Sequence, residues 1–324
     1  MKAIRVHEWG DPEVLRVEDV PDPTPSTGAA VVKIEAAGVN PVDTYIRSGV
    51  YAQLPSLPYV PGGDAAGVIA AIGEGAGALA VGQRVYIAGC VGGRLQDTYA
   101  EHAVRPVGEL FPLPENVSFA EGAAVGVPYA TAYCALFNRG RGRPGETVFI
   151  HGASGAVGTA ATQIARAHGL TVIGSAGSQK GKALVLEQGA DHVLDHGQDG
   201  YIDALRELTG GNGPDLILEM LANVNLAQDL SVVARYGRIV VVGNRGAIEI
   251  NPRAAMTREI DVLGLALWNR TDAELGSIHA ALGAGLRDGT LKPVIGREMR
   301  LEDAAQAHAA VLEPGAYGKI VLVP

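Results

Sequence analysis

The sequence predicts an α/β protein in which a β-rich, barrel-like segment is followed by a doubly wound parallel sheet. Three observations carry this. From Glu146 onward, short apolar runs alternate with helix-length segments, the rhythm of parallel strands joined by crossover helices. Before about residue 120 the chain is rich in β-branched residues and punctuated by Pro21, Pro23, Pro25, Pro55, Pro58 and Pro61, which suits short strands better than helices. Between the two, Val148-Phe149-Ile150 leads through a Gly/Ala/Ser turn into an alanine-rich segment, giving strand, turn and helix in that order.

The chain has 324 residues, 47% of them hydrophobic and 19% charged, a globular composition long enough for about two domains. A formal net charge of -9 opposes a nucleic-acid backbone as the main partner, since such binding needs a concentrated basic surface. Two cysteines, Cys90 and Cys134, make neither a disulfide framework nor a four-thiolate zinc site. The first residues hold no uninterrupted apolar stretch, and no segment approaches the roughly 18 apolar residues of a membrane span. A cytoplasmic protein without membrane association is therefore expected.

In chain order, Ala30 to Ala36 and Gly67 to Ile72 read as strands bounded by turn residues. Ser118-Phe119-Ala120-Glu121 is a capping-box sequence, and the alanine-rich run through Leu136 reads as its helix. Strands are expected at Thr147 to His151, Leu170 to Gly174, His192 to Leu194, Asp215 to Glu219 and Arg238 to Val242, with Ile260 to Leu267 as a candidate edge strand. Thr271-Asp272-Ala273-Glu274 is a second capping box, and Leu275, Ile278, Leu282 and Leu286 mark one face of the helix after it. The tail from Gly318 to Val323 is strand-like. Spacing alone leaves open which domain it joins.

Within the turn, Gly155 and Gly158 keep the last two places of a G-x-G-x-x-G fingerprint, with Ala153 in the first. A pyrophosphate reaches backbone N–H groups at a helix N-terminus only where side chains do not intervene. An acid about 20 positions on would hydrogen-bond the ribose hydroxyl of NAD. Here the corresponding stretch is Gly174-Ser175-Ala176-Gly177-Ser178, followed by Lys180 and Lys182. Hydroxyls and ammonium groups suit a ribose phosphate, so NADPH is favoured. The alternative for either lysine is a solvated residue at a helix start. His151, just before the turn, reads as a structural strand end, and Cys134 as packing.

Asn40-Pro41-Val42-Asp43-Thr44-Tyr45, Leu57-Pro58-Tyr59-Val60-Pro61-Gly62, His151 to Gly158 and Glu219-Met220-Leu221-Ala222-Asn223-Val224-Asn225 stand in one order along the chain. Together they resemble the zeta-crystallin-like NADPH:quinone oxidoreductases, the zinc-independent branch of the medium-chain dehydrogenase/reductase family. The resemblance runs essentially end to end. It implies a GroES-like β-barrel catalytic domain (1–122), a Rossmann NADPH-binding domain (123–267) and a return to the first domain (268–324), with the cofactor in the cleft between domains. It places Ser154, Gly155, Ala156, Val157 and Gly158 on the phosphate turn, and Ser175, Gly177, Lys180 and His196 around the adenosine phosphate. Asn223, Asn225, Gly243, Asn244, Arg245, Leu265, Ala266 and Leu267 are expected along the nicotinamide half. Zinc-dependent relatives carry a cysteine in the segment matching Gly38 to Asn40 and Gly-His-Glu in that matching Gly62 to Asp64. This chain has Asn40 and Asp64 there, so no metal is expected.

Without a Lewis acid the natural acceptor is one already electron-poor, such as a quinone, held flat against the nicotinamide with hydrogen bonds to its oxygens. Asn40 and Tyr45 are the leading polar candidates, and Tyr45 is expected to touch the cofactor as well; Tyr51, Tyr59, Tyr129 and Thr131 are weaker ones. Asp43 is read first as an anchor of a helix start and second as a proton-transfer group. A rival substrate class is the conjugated enal or enone. A different class, implied by the resemblance, is a crystallin-like structural or AU-rich RNA-binding protein, with RNA secondary given the acidity. A homodimer or homotetramer is expected through Ile260 to Leu267.

Overall fold

The computed structural model describes residues 1–77, 79–89, 95–315 and 317–324; Cys90 lies outside them. Strand β1 (Lys2–Arg5) pairs antiparallel with β2 (Arg16–Asp19). The eleven-residue β3 (Ala29–Val39) is buried along nearly its whole length and pairs antiparallel with β4 (Asp64–Ile72). Short helix α1 (Pro41–Arg47) leaves the end of β3, starting on a proline whose missing N–H is not needed there. β4 pairs with β5 (Arg84–Ala88), β3 also with β6 (His102–Pro106), and β5 with β7 (Leu110–Pro112).

The capping box at Ser118 is present, with Glu121 N–H donating to Ser118 Oγ, yet α2 (Phe119–Gly122) lasts a single turn. The helix resumes as α3 (Gly126–Tyr133) and ends in a π-helical stretch, Cys134–Arg139. The uninterrupted helix the alanine run predicts is thus broken. Pro128 has no N–H to give to the carbonyl of residue 124, and the Val127 N–H donates instead to Asp64 Oδ1 at 2.8 Å.

Six parallel strands follow: β8 (Thr147–Ile150), β9 (Thr171–Ser175), β10 (His192–Leu194), β11 (Leu216–Glu219), β12 (Arg238–Val241) and β13 (Asp261–Gly264). Their spatial order is β10-β9-β8-β11-β12-β13, so the strand order reverses between β8 and β11. Such a switch point opens a crevice at the carboxyl ends of the strands. The crossovers are α4 (Ala156–Ala167), α5 (Gln179–Glu187), α6 (Tyr201–Leu208), α7 (Ala222–Val232) and α8 (Pro252–Met256). Phe149, Ile173, Leu205, Ile217, Leu230 and Ile239 form the core of this unit. β13 pairs only with β12 among the described residues, and its strand is mostly exposed.

The chain continues through α9 (Asp272–Asp288), which begins on the Thr271–Glu274 capping box and buries Leu275, Ile278, Leu282 and Leu286 as their spacing predicts. β14 (Ile295–Arg300), α10 (Ala304–Ala310) and β15 (Lys319–Val323) complete it. β15 pairs antiparallel with β3, Val321 opposite Gly38, so the tail joins the first sheet. Ala30, Val32, Ile34, Ile69, Ile87, Tyr99 and Leu322 pack together in that unit's core. Two compact units result: Met1–Ala130 with Leu267–Pro314 and Gly318–Pro324, and Thr131–Ala266 with Gly315–Tyr317. No helix among the described residues is long and apolar enough to cross a membrane.

Candidate active site

In the parallel-sheet unit the turn after β8 is bare of side chains where a phosphate needs access. Gly152 takes a left-handed φ of 56°, Ala153 is fully buried, and Gly155 is the N-cap of α4 without a side chain to satisfy the helix's first N–H groups. Those donors and the positive end of the helix dipole are thus left to a ligand. Gly158 lies against the turn itself: a Cβ there would stand 2.5 Å from Ala153 Cα and 2.6 Å from Gly152 O. At the end of β9, the buried Ser175 accepts from the Gly152 N–H at 3.2 Å, tying the two strand ends together. Ser178 caps α5 by accepting from Gly181 N–H. The His196 ring covers Gly177, where an added Cβ would be 2.7 Å from Nε2, and burial lowers its pKa.

Further along the carboxyl edge, Arg245 N–H donates to Asn223 Oδ1 at 2.9 Å and Ala222 N–H to the Gly243 carbonyl at 3.0 Å. Asn244 turns its amide to the Gly246 carbonyl at 2.8 Å. Asn225 donates to Glu219 Oε1 at 3.2 Å, as does the Leu221 backbone. Leu265 continues from β13 with its N–H on the Val241 carbonyl, and Ala266 follows; Leu267 opens a 3-10 turn counted with the other unit. Ser154, Gly155, Ala156, Val157, Gly158, Ser175, Gly177 and His196 therefore lie along the carboxyl ends of β8, β9 and β10, and the asparagine and glycine residues at the ends of β11 and β12.

Sequence reasoning treats His151 as an isolated strand end. Its Nε2 lies 2.8 Å from Asp229 Oδ1 and 3.3 Å from Glu219 Oε2, all three side chains buried. This is the one grouping of metal-ligand types with ligand-like spacing among the described residues. No local signal links the three, because each reads alone as an ordinary polar residue. Burial raises the Glu219 and Asp229 carboxyls to about 7 and lowers His151. Carboxyl pKa values above those of the unfolded chain, about 4, mean that the native state retains protons the unfolded state has released. The stability so contributed is full below about pH 4 and is lost as pH rises toward about 7. Buried histidines with lowered pKa values, His151 among them, act in the opposite sense, so the carboxyl contribution is read as a difference. The advantage of wild type over Asp229→Asn in the midpoint of denaturant unfolding is expected to shrink between about pH 5 and pH 7.5, and an advantage that grows over that window would contradict it.

The first unit holds a second buried network. Asn40 (3% exposed) donates from Nδ2 to Asp64 Oδ2 at 2.9 Å, and its Oδ1 accepts from Lys319 Nζ at 2.5 Å. Lys319 Nζ also lies 3.0 Å from Asp64 Oδ2, with side-chain exposures of 1% and 0%. Room for this exists because two neighbours lack a Cβ: one at Gly38 would sit 2.7 Å from Lys319 Cε, one at Gly126 would sit 2.3 Å from Asp64 Oδ1. Asp43 accepts from Asn40 N–H at 2.8 Å and from Tyr99 Oη at 3.0 Å, locking the start of α1. Burial pushes its carboxyl up to about 7, opposed by the Asn40 N–H and the Lys319 charge.

Asn40 and Asp43 are thus placed inside this network and not on an open surface. Tyr45 is half-buried on α1, and Tyr51 meets Trp268 edge-on at 5.2 Å. Tyr59 packs against Trp9, Tyr129 is 1% exposed, and Thr131 is buried on α3. The place expected of a zinc ligand set holds a carboxamide, Gly63 and one carboxylate already bound to an internal ammonium. That donor set has neither sulfur nor imidazole and does not fit a zinc ion.

Residues 26–115 match the family described as "Alcohol dehydrogenase GroES-like domain", and residues 156–279 the one described as "Zinc-binding dehydrogenase". The chain is 49% identical to the rat quinone oxidoreductase over 325 residues, covering 100% of this chain and 98% of that protein. Among solved structures it is similar to the quinone oxidoreductase of Thermus thermophilus, studied alone and with NADPH, at 33% identity and a TM-score of 0.87 with both chains fully covered. An NAD-dependent alcohol dehydrogenase aligns at 30% identity and a TM-score of 0.92, again over the whole of both chains.

Proposed function

The chain belongs to the quinone oxidoreductase branch of the medium-chain dehydrogenase/reductase family, and from that premise we propose that it reduces quinones with NADPH. The observation that carries the cofactor is the cradle at the carboxyl ends of β8 and β9, where a capless helix N-terminus faces a strand end that has a lysine nearby and no acid. NADPH supplies the hydride or electron, from nicotinamide C4. The chain's own residues bind and orient: the α4 N–H groups of Ala156, Val157 and Gly158 hold the pyrophosphate, and Gly177, Lys180 and His196 the adenosine side. Asn223, Asn225 and the turn at Gly243 to Arg245 line the nicotinamide half, with Glu219 fixing Asn225.

On this reading Tyr45 is the hydroxyl offered to the acceptor, whereas Asn40 and Asp43 position α1 beneath it. Asn40 acts through its bonds to Asp64 and Lys319, and Asp43 through Tyr99 and the Asn40 N–H. A quinone needs little activation, which accords with a donor set that suits an ammonium in place of zinc.

The test is NADPH and NADH oxidation with phenanthrenequinone beside an alkenal. Quinone turnover with a preference for NADPH is expected; alkenal turnover far above quinone turnover would overturn the substrate assignment. The homo-oligomer reading rests on β13, an edge strand with Val262 45% exposed, able to pair with its copy across a two-fold axis. Sedimentation of Val262→Lys, expected to show monomer, checks it.

A further inference from the structure

Two lysines stand in the first turn of α5, and the structure treats them differently. Lys182 Nζ lies 3.0 Å from Asp195 Oδ2, so its charge is neutralised, and the pairing holds the Asp195 carboxyl below its ordinary value. Lys180 Nζ lies 4.0 Å from the centroid of the Tyr317 ring. Among the described residues no carboxylate forms a salt bridge with it. An aromatic face attracts an ammonium through the ring quadrupole without cancelling its charge, and leaves the N–H bonds on the far side for an anion. The ring belongs to Tyr317, which is counted with the parallel-sheet unit although Pro314 and Gly318 are counted with the other. Of the two lysines, Lys180 is the one set against an aromatic face, with no salt bridge to a carboxylate among the described residues.

We propose that Tyr317 is a specificity-determining positioning residue. Its ring holds the Lys180 ammonium for the phosphate on the adenosine ribose of NADPH, and this pair, not Lys182, discriminates NADPH from NADH. The inference rests on the reading of the cradle as an NADPH site. It also assigns a role to a tyrosine that lies far outside the dinucleotide fingerprint in sequence. A tyrosine that only packed would lower affinity for both nucleotides alike, since NADH and NADPH share every group except that phosphate.

Calorimetric titration of the full-length protein with NADPH and with NADH separates the possibilities, using wild type, Tyr317→Leu, Tyr317→Phe, Lys180→Met and Lys182→Met. Tyr317→Leu is expected to weaken NADPH about 2- to 5-fold, the factor an exposed cation–π pair is worth, and to leave NADH unchanged. Tyr317→Phe, which keeps the ring face, restores wild-type affinity. Lys180→Met loses more than Tyr317→Leu, adding Tyr317→Leu to it changes nothing further, and Lys182→Met has little effect. Undiminished NADPH affinity in Tyr317→Leu, an equal loss for NADH, or a Tyr317→Phe as weak as Tyr317→Leu overturns the proposal while wild type still prefers NADPH. Equal affinity of wild type for the two nucleotides overturns the NADPH reading itself, and the role of Tyr317 with it.

Discussion

Lys319→Met is expected to destabilise the protein by about 3–5 kcal/mol, the cost of leaving one partner of a buried ion pair uncompensated. Asp64 is fully buried, and the ammonium is the charge that balances it. Methionine fills the same space without that charge, so the loss is electrostatic in origin and not a cavity effect. Chemical denaturation reads it, and the double variant with Asp64→Asn is expected to recover most of the deficit, because it removes the orphaned charge as well. A loss under about 1 kcal/mol, the range of surface pairs, would show that the pair carries little. The same substitution frees Asn40 Oδ1 from Lys319, so α1 and Tyr45 should become less well fixed. A raised KM for the quinone in the surviving folded protein would follow.

Gly158→Ala is the change expected to damage cofactor binding most. Its Cβ would stand 2.5 Å from Ala153 Cα and 2.6 Å from the Gly152 carbonyl, both of them backbone atoms with no rotamer to move aside. The helix must then lift away from the turn, at an overpacking cost of about 1–3 kcal/mol. That shift falls on the N–H groups proposed to hold the pyrophosphate. NADPH affinity is expected to drop on the order of 10-fold or more, with NADH losing equally, since both carry the pyrophosphate. Gly276→Ala, on α9 with nothing within 4 Å of the added atom, is the control and should leave binding unchanged. Wild-type affinity in Gly158→Ala would place the phosphates elsewhere.

The two outcomes differ in kind because the two sites are encoded differently. Turn, strand and helix at Val148 to Ala167 follow one another in the chain, so glycine spacing and apolar runs disclose them. Capping boxes at Ser118 and Thr271 are equally local, each closed between residues three apart. The run after Ser118 shows the limit: alanine content predicts a continuous helix, and Pro128 together with the reach of Asp64 to the Val127 N–H breaks it.

What the sequence by itself determined is therefore the order of the elements, the β-rich and doubly wound halves, the glycine turn between strand and helix, and the missing acid beyond β9. The tertiary structure alone decided what the isolated polar residues do. Lys319 meets Asn40 across 279 positions and Asp64 across 255, while His151 meets Asp229 across 78. A lysine near a chain end reads as solvated, and an asparagine before a proline reads as a turn. Periodicity records which face of an element is buried, but a pairing between distant residues leaves no period and no spacing to detect. Only the register of β15 against β3 brings the ammonium to Asn40, whose buried carboxamide then bridges Lys319 and Asp64, a partnership that no local spacing announces.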